Sequence, residues 1–307
     1  MKSNRVSYVR GKRMRATLVD ANGRPVYGDS SVSVTKGFVT ATMTSNIEEG
    51  EATTVTNADG DACISEPAVP SFTGYGVEIE FCEVDYAMFG ILTGQEIILD
   101  AAGNAIGIDE KSTVDLNATT FALEIWTGAA LKNGTPSAGS QGQYGYFLLP
   151  FLKGGIIGDV TIENGAVSFT VSNMTTQSNS NWGKGPYNVE LVSGKPAPLR
   201  KGVTNSTHRR MMTAEVAPPV VLPGTTPLLD PSAPAVTSIT GTATGLSVAF
   251  APTPTGTDPM WYDFGDGTWD YTPNGSITHV YAEPGTYKAV GYRGSSSATK
   301  DVTPTSA

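Results

Sequence analysis

The sequence predicts an all-β protein with one short helix, organised as sandwiches or barrels in two domains. Three observations carry this. Thr and Val are abundant, Gly (35) and Pro (20) punctuate the chain, and only 16% of its 307 residues are charged, a balance that fits pleated strands joined by turns. Between Tyr75 and Val84, Val77, Ile79 and Phe81 alternate with Glu78, Glu80 and Cys82, the period-two signature of a half-buried strand. Short strand-like runs then recur at close spacing along the whole chain.

Taken in order, Ser31 to Thr44 is β-prone, with Thr40, Thr42 and Thr44 alternating against Val39, Ala41 and Met43. Val32 and Val34 have the opposite parity, so a bulge or bend is expected at Gly37. An acidic, turn-rich stretch follows, SNIEEGEATTVTNADGD, in which Asp59-Gly60 fits a tight turn. After the Tyr75–Val84 strand, Asp85 is placed to cap a short helix through Leu92 that Gly94 ends as a left-handed residue. Further strands are expected at Glu96–Leu99, Phe121–Trp126 and Tyr144–Phe151. A hairpin is expected about Asn164-Gly165, which favours a type I′ turn. Strands at Tyr187–Val192 and Arg209–Val216 complete the first domain, residues 1–216. The segment 217–234, APPVVLPGTTPLLDPSAP, holds six prolines in eighteen residues and reads as a semi-rigid linker. Residues 235–307 carry strand candidates at Val236–Ile239, Leu246–Phe250, Met260–Phe264, Thr278–Tyr281, Tyr287–Tyr292 and Lys300–Val302, the spacing of a small sandwich.

The net charge of −9 conceals segregated blocks. Residues 1–36 sum to +6, residues 46–131 to −15, and residues 195–210 carry five Lys/Arg and no acid. Opposed blocks suit a subunit that meets copies of itself head to tail, because complementary fields steer association and fix register. No run of about 18 apolar residues is present, so no membrane-spanning helix is expected. The basic N-terminus is followed by no apolar segment, so no secretory leader is expected. Cys63 and Cys82 are too few for a disulfide framework and are expected as free thiols.

Catalytic signatures are missing. His208 and His279 have no metal-spaced partner, and GGIIGD at Gly154–Asp159 precedes a strand where a dinucleotide site needs a helix. There is no phosphate-cradling G-x-x-x-x-G-K-[ST] and no G-x-S-x-G. Carboxylate pairs such as Glu48 and Glu49 lie in polar turns, where solvation accounts for them. The expectation is no enzyme, no metal site and no cofactor.

Two segments resemble known families. SYVRGKRMRATLVDANGRPVYG, with VTATMTSNIEEGEATTVTNADGDACISEPAVPSFTGYGVEIEFCEVDYAMFGILTG, resembles the major tail (tail tube) proteins of long-tailed phages of actinobacteria, most strongly over Tyr8–Gly94. WYDFGDGT at Trp261–Thr268, with HVYAEPGTYKAVGY at His279–Tyr292, resembles the PKD domain, an immunoglobulin-like sandwich.

The first resemblance implies rings, usually hexameric, that stack into a hollow tube conducting DNA, whose subunits lend strands to an inner β-barrel. The implied partners are further copies of the chain, the tape measure, tail tip and tail terminator proteins, and passing DNA that is not bound specifically. The implied location is the virion, after assembly in the host cytoplasm. On that reading Glu78 and Glu80 face the lumen. The acidic stretch with Glu48, Glu49 and Glu51 reaches a neighbouring ring, where Arg10, Lys12, Arg13 and Arg15 form the basic partner surface.

The second resemblance implies structural roles for Trp261, Asp263, Phe264, Gly265, Asp266, Gly267, His279, Tyr281, Pro284, Gly285 and Tyr287. Trp261 and His279 are expected in the core or linking strands. Asp263, Asp266 and Asp270 are expected to hold the turn backbone in preference to calcium. This domain is expected outside the tube. The competing reading is a secreted or surface-displayed adhesion protein that uses the same immunoglobulin-like domain.

Overall fold

The structure is a computed structural model that describes residues 6–101, 103–131, 143–158, 160, 168–256, 258–294 and 296–306. It is nearly all β with one helix, and its sheets stay open: none closes into a barrel among the described residues. The chain divides into two compact units, one of Met1–Pro25 with Ser33–Gly224, the other of Val26–Val32 with Thr225–Ala307.

The first unit begins with β1 (Val6–Leu18), a strand that the sequence reading passes over because it is dense in Lys and Arg. Strand β2 (Gly28–Thr35), whose residues through Val32 belong to the second unit, and β3 (Phe38–Glu48) are the expected run broken at Gly37. There the Thr35 hydroxyl accepts from the Gly37 amide at 3.0 Å. Strand β4 (Thr53–Thr56) lies within the stretch read as acidic and turn-rich, β5 (Ala62–Glu66) directly follows that stretch, and β6 (Ser71–Phe81) is the alternating strand.

Helix α1 (Tyr86–Thr93) has the foreseen caps. The Asp85 side chain accepts from the amides of Ala87 and Met88, and Gly94 adopts φ 67°, which costs glycine no Cβ clash. Next come β7 (Glu96–Leu99), β8 (Ala105–Asp109), β9 (Thr120–Leu131), β10 (Tyr144–Lys153), β11 (Ile156–Ile157) and β12 (Phe169–Thr176). The Asn164-Gly165 turn lies outside the described residues. The hairpin β13 (Glu190–Val192) and β14 (Lys195–Ala197) and the strand β15 (Arg210–Ala214) complete the unit.

Its main sheet runs β1-β9-β10-β12-β6-β3, with β11 beside β12 and β15 beside β10. One face packs Met14, Ala16, Val77, Ile79, Phe81, Phe121, Leu123 and Leu149 against Met88, Phe89 and Leu92 of α1. The other face buries Trp126, Tyr146, Leu148 and Phe151 under Trp182, Val189, Leu199 and Val203. A sheet covered on both faces explains why β10, YGYFLLPFLK, is apolar almost throughout.

The second unit includes β16 (Thr225–Leu228), a strand inside the segment read as linker. Two further sheets follow. One has β17 (Ser238–Thr244), β18 (Ser247–Thr253) and β21 (Ile277–Val280). The other has β20 (Trp269–Thr272), β19 (Met260–Asp263), β22 (Tyr287–Arg293) and β23 (Ser296–Val302), in that order. Val248, Phe250, Met260, Tyr262, Phe264, Tyr281 and Ala289 form the core between them, the two-sheet packing of an immunoglobulin-like sandwich.

Candidate functional site

The feature of the first unit that packing does not account for is an arm. Strands β3 and β6 pair along their length, from Phe38↔Phe81 to Glu48↔Ser71, and the chain between them continues as the β4–β5 ribbon. Every residue of β4 and β5 is exposed. At the ribbon's end the Asn57 side chain accepts from the amides of Asp59 and Asp61 at 3.0 and 2.8 Å, which closes the turn over Asp59-Gly60. Apolar side chains stud the arm: Ile47 is 62% exposed, Val55 47%, Ile64 56% and Val69 74%. Val55 and Ile64 are cross-strand partners, so together they make an apolar rung that touches no core. Glu48, Glu49 and Glu51 are exposed beside them, as are Asp59, Asp61 and Glu66, and none of the six makes an ion pair among the described residues.

The root of the arm is fixed. Phe72 meets Tyr75 and His208 edge-on at 5.0 and 5.3 Å, and the Arg209 guanidinium lies 4.2 Å over the Tyr75 ring. Thr176 Oγ1 accepts from the Tyr75 amide at 2.8 Å and is 3.0 Å from His208 Nδ1.

Where the arm joins the sheet, Glu78 is exposed and Glu80 half-buried, while Val77, Ile79 and Phe81 are buried on the opposite face. Across the strands Glu78 is opposite Thr42, and Glu80 lies between Thr40 and Thr170. This face is therefore a band of threonine and glutamate with no cation among those cross-strand neighbours.

The four basic residues expected to act as one surface are divided. Arg10 (φ 46°) and Lys12 are exposed at irregularities in the β1–β9 register, and Arg13 is half-buried with its guanidinium donating to the Lys12 carbonyl at 2.7 Å. Arg15 is not a surface residue at all. It is 7% exposed and binds Glu124 through two hydrogen bonds of 2.6 and 2.8 Å. Burial opposes its charge, but the Glu124 carboxylate outweighs that and raises its pKa above the ordinary arginine value. Met14 and Ala16 face α1 whereas Arg13, Arg15 and Thr17 face the other way, and Arg15 is buried because Trp126 and Tyr187 cover it there.

In the second unit the strand-to-turn motif is held by its own side chains. Asp263 accepts from the Gly265 amide at 2.9 Å, and Asp266 accepts from the amide and hydroxyl of Thr268 at 2.9 and 2.6 Å. Gly265 has φ 78°, and a Cβ there would sit 2.5 Å from the Lys288 carbonyl oxygen. His279 stacks on Phe264 at 3.9 Å and reaches Asp266 Oδ2 at 2.8 Å, tying β21 to the turn. Burial pushes the Asp266 carboxyl up, but the hydrogen bonds from Thr268 and His279 prevail and hold it below its ordinary value. Tyr281 donates to the Phe264 carbonyl at 3.0 Å and stacks on Tyr287 at 4.3 Å. Pro284 is exposed, and the Gly285 amide beside it donates to the Pro304 carbonyl at 3.3 Å. Asp270 accepts from the Tyr271 amide at 2.7 Å, so all three aspartates serve the backbone.

Trp261 departs from the expectation of a core residue. Tyr262 is the buried one, at 0% exposure, and donates to the Gly275 carbonyl at 2.7 Å. Trp261 lies on the outer face, stacked on Tyr292 at 4.7 Å and edge-on to Trp269 at 6.0 Å. Strand alternation sets this parity: with Met260, Tyr262 and Phe264 inward, Trp261 is not.

Cys63 and Cys82 are exposed free thiols. Among the described residues no group of three or more His, Cys, Asp or Glu is arranged to hold a metal ion, and no helix is long and apolar enough to cross a membrane. No curated protein matches the chain. Residues 233–303 match the PKD domain family, and the two sheets around Tyr262, Phe264 and Tyr281 identify this part of the chain as a PKD, immunoglobulin-like domain.

Proposed function

We propose that the chain is a non-enzymatic structural subunit that assembles with copies of itself into stacked rings, the tail tube of a long-tailed actinobacteriophage. The observation that carries this reading is the arm, whose β4–β5 ribbon exposes every residue and an apolar rung, Val55 with Ile64. A two-stranded ribbon that buries nothing is marginal in water by itself, and exposed aliphatic side chains ringed by carboxylates are the make-up of a contact surface. Its partner on the next copy is the exposed basic part of β1, Arg10 and Lys12 with Arg13. That charge match supports head-to-tail stacking, because a heterologous contact that does not close generates an open filament.

In this assembly the threonine–glutamate band with Glu78 and Glu80 lines the channel. A wall whose glutamates have no cation among their cross-strand neighbours repels phosphates and lets DNA pass unbound, the reverse of a surface that neutralises phosphates with Lys and Arg. The rings are hexameric, and the tape measure, tip and terminator proteins bound the tube. The subunit assembles in the host cytoplasm, needs no cofactor and resides in the virion. The PKD domain decorates the tube's exterior.

The PKD match itself favours a second reading, a surface-displayed adhesion protein in which that domain makes the working contact. Negative-stain electron microscopy of the purified full chain separates the two. Stacked rings or tubes are expected for the first reading, and a monomer at every concentration sinks it.

A further inference from the structure

Arg293 ends β22 and is buried with Ala289 and Gly291 of the same strand, at 0% exposure. The other buried charges among the described residues, Arg15 and Glu124, neutralise each other. Arg293 makes no ion pair among the described residues.

The two guanidinium groups compare atom by atom. Arg15 turns its Nε and Nη2 edge to Glu124 and gives one hydrogen bond from each, 2.6 and 2.8 Å, to the two carboxylate oxygens. This is the side of the fork that matches a planar carboxylate. On Arg293 the same edge finds no oxygen acceptor. Nε is buried without a hydrogen-bond partner, and Nη2 reaches the Met260 sulfur at 3.6 Å. Nη1 alone is met by oxygen, the Pro254 carbonyl at 3.0 Å. The Tyr262 hydroxyl lies 3.5 Å from the same sulfur and donates to the Gly275 carbonyl. A buried cation that leaves one edge of its fork unmet is costly. Water can accept from Nε but leaves the charge standing, whereas a carboxylate answers both.

Arg293 lies one loop below the surface. Thr253, Pro254, Thr255, Gly256 and Pro259 are exposed, and it is the carbonyl of this loop's Pro254 that Arg293 binds. Among the described residues no backbone–backbone hydrogen bond ties 254–256 or 258–259 to the rest of the unit. The loop carries a carboxylate of its own, Asp258, which is half-buried and makes no ion pair among the described residues.

We propose that Arg293 anchors a carboxylate-binding site of the PKD domain, entered when the 253–259 loop lifts and occupied bidentately on Nε and Nη2. One guanidinium beside the buried Met260 and Tyr262 balances one negative charge, so the fitting ligand is a small monocarboxylate. The site lies wholly in the second unit and does not depend on how the first unit assembles.

The test is thermal unfolding of the full chain at neutral pH and fixed ionic strength, followed by near-ultraviolet circular dichroism, as sodium acetate replaces sodium chloride. A saturable rise in unfolding temperature is expected. R293M removes an unpaired buried charge, so it is expected to fold and to show no response to acetate. R293K keeps the charge but loses the fork, and is expected to need roughly tenfold more acetate for the same rise. No saturable rise in the parent, or an equal rise in R293K or R293M, would overturn the proposal. D258N tests the loop's own carboxylate: an acetate response that persists in D258N supports a site for free ligand. Stability lost in D258N, with no acetate response in the parent, would instead make Asp258 the partner of Arg293.

Discussion

Arg15 and Glu124 are direct cross-strand partners on β1 and β9, and their side chains form a two-point ion pair buried at 7% and 1% exposure. The pair is fully dressed. Tyr146 donates to the same carboxylate at 2.6 Å, and the Arg15 guanidinium lies 3.2 Å over the ring of Tyr187, whose hydroxyl meets Thr17 at 2.9 Å. Burial first, and the Glu124 charge second, push the Tyr146 phenol far above its ordinary range. A one-residue slip of β1 would strand both charges, so the pair specifies register next to a strand whose first half is irregular.

Removing one partner is therefore expected to cost more than removing both. R15A or E124A leaves an uncompensated buried charge and should lower unfolding stability by roughly 3–5 kcal/mol. The double change R15M/E124L should be markedly less costly than the sum of the single changes. Urea denaturation of the four proteins measures the coupling; additive losses would remove the register argument.

That pair also marks the limit of what the sequence made legible. The strand alternation at Val77–Phe81, the caps Asp85 and Gly94 and the break at Gly37 were readable because each is a local signal. Arg15 was not. Its parity matches a surface position unless one knows that the sheet is covered on both faces, which depends on Trp182 and Leu199 arriving from far along the chain. The β4–β5 ribbon escaped for the converse reason: its strands bury nothing, so no hydrophobic period marks them. Trp261 was misplaced by a single residue of phase, which only the inward position of Phe264 resolves.

The PKD domain should be sensitive to alkali in a defined window. Burial, opposed by Arg293, pushes the Tyr262 phenol up to about 12. Its folded value lies above its unfolded value of about 10, so the stabilisation is complete below about pH 10 and is lost as pH rises toward 12. The loss from this group should be about 2 kcal/mol. Tyr281, raised by burial and by nearby Asp266, adds in the same direction. Y262F should cost about 1 kcal/mol at neutral pH through its lost hydrogen bond to Gly275 and flatten part of the alkaline decline. Thermal unfolding followed by near-ultraviolet circular dichroism at pH 9 and 11 reads both effects; an unchanged slope would refute the assignment.

Shortening the arm should separate folding from assembly. Because β4 and β5 bury no side chain of the core, replacing residues 52–66 by a short Gly-Ser turn should change unfolding stability by less than about 0.5 kcal/mol. On the self-assembly proposal, sedimentation should nevertheless show loss of stacking, since the acidic and apolar rungs proposed to meet the next copy would be gone. Charge reversal at Glu48 and Glu49 should weaken stacking less, and most visibly at low salt, where exposed charges are least screened. Unaltered assembly after the deletion would reduce the arm to an ordinary surface ribbon.

On the proposed tail-tube reading, Glu78 and Glu80 give the sharpest test of which face would line the channel. Both point away from the core, opposite Thr40, Thr42 and Thr170, so E78K and E80K should fold and assemble as the parent does. What should change is the response to DNA. Each lysine placed in the wall adds one phosphate contact per subunit, and a ring of them makes a DNA-binding surface whose affinity falls steeply with salt. If the proposed reading holds, phage carrying either change should form normal tails yet eject DNA slowly or incompletely, with partial recovery as ionic strength rises. Charges on an outer surface would leave ejection unchanged and would instead let intact tails adsorb DNA from solution, so the two placements predict opposite results in one pair of measurements.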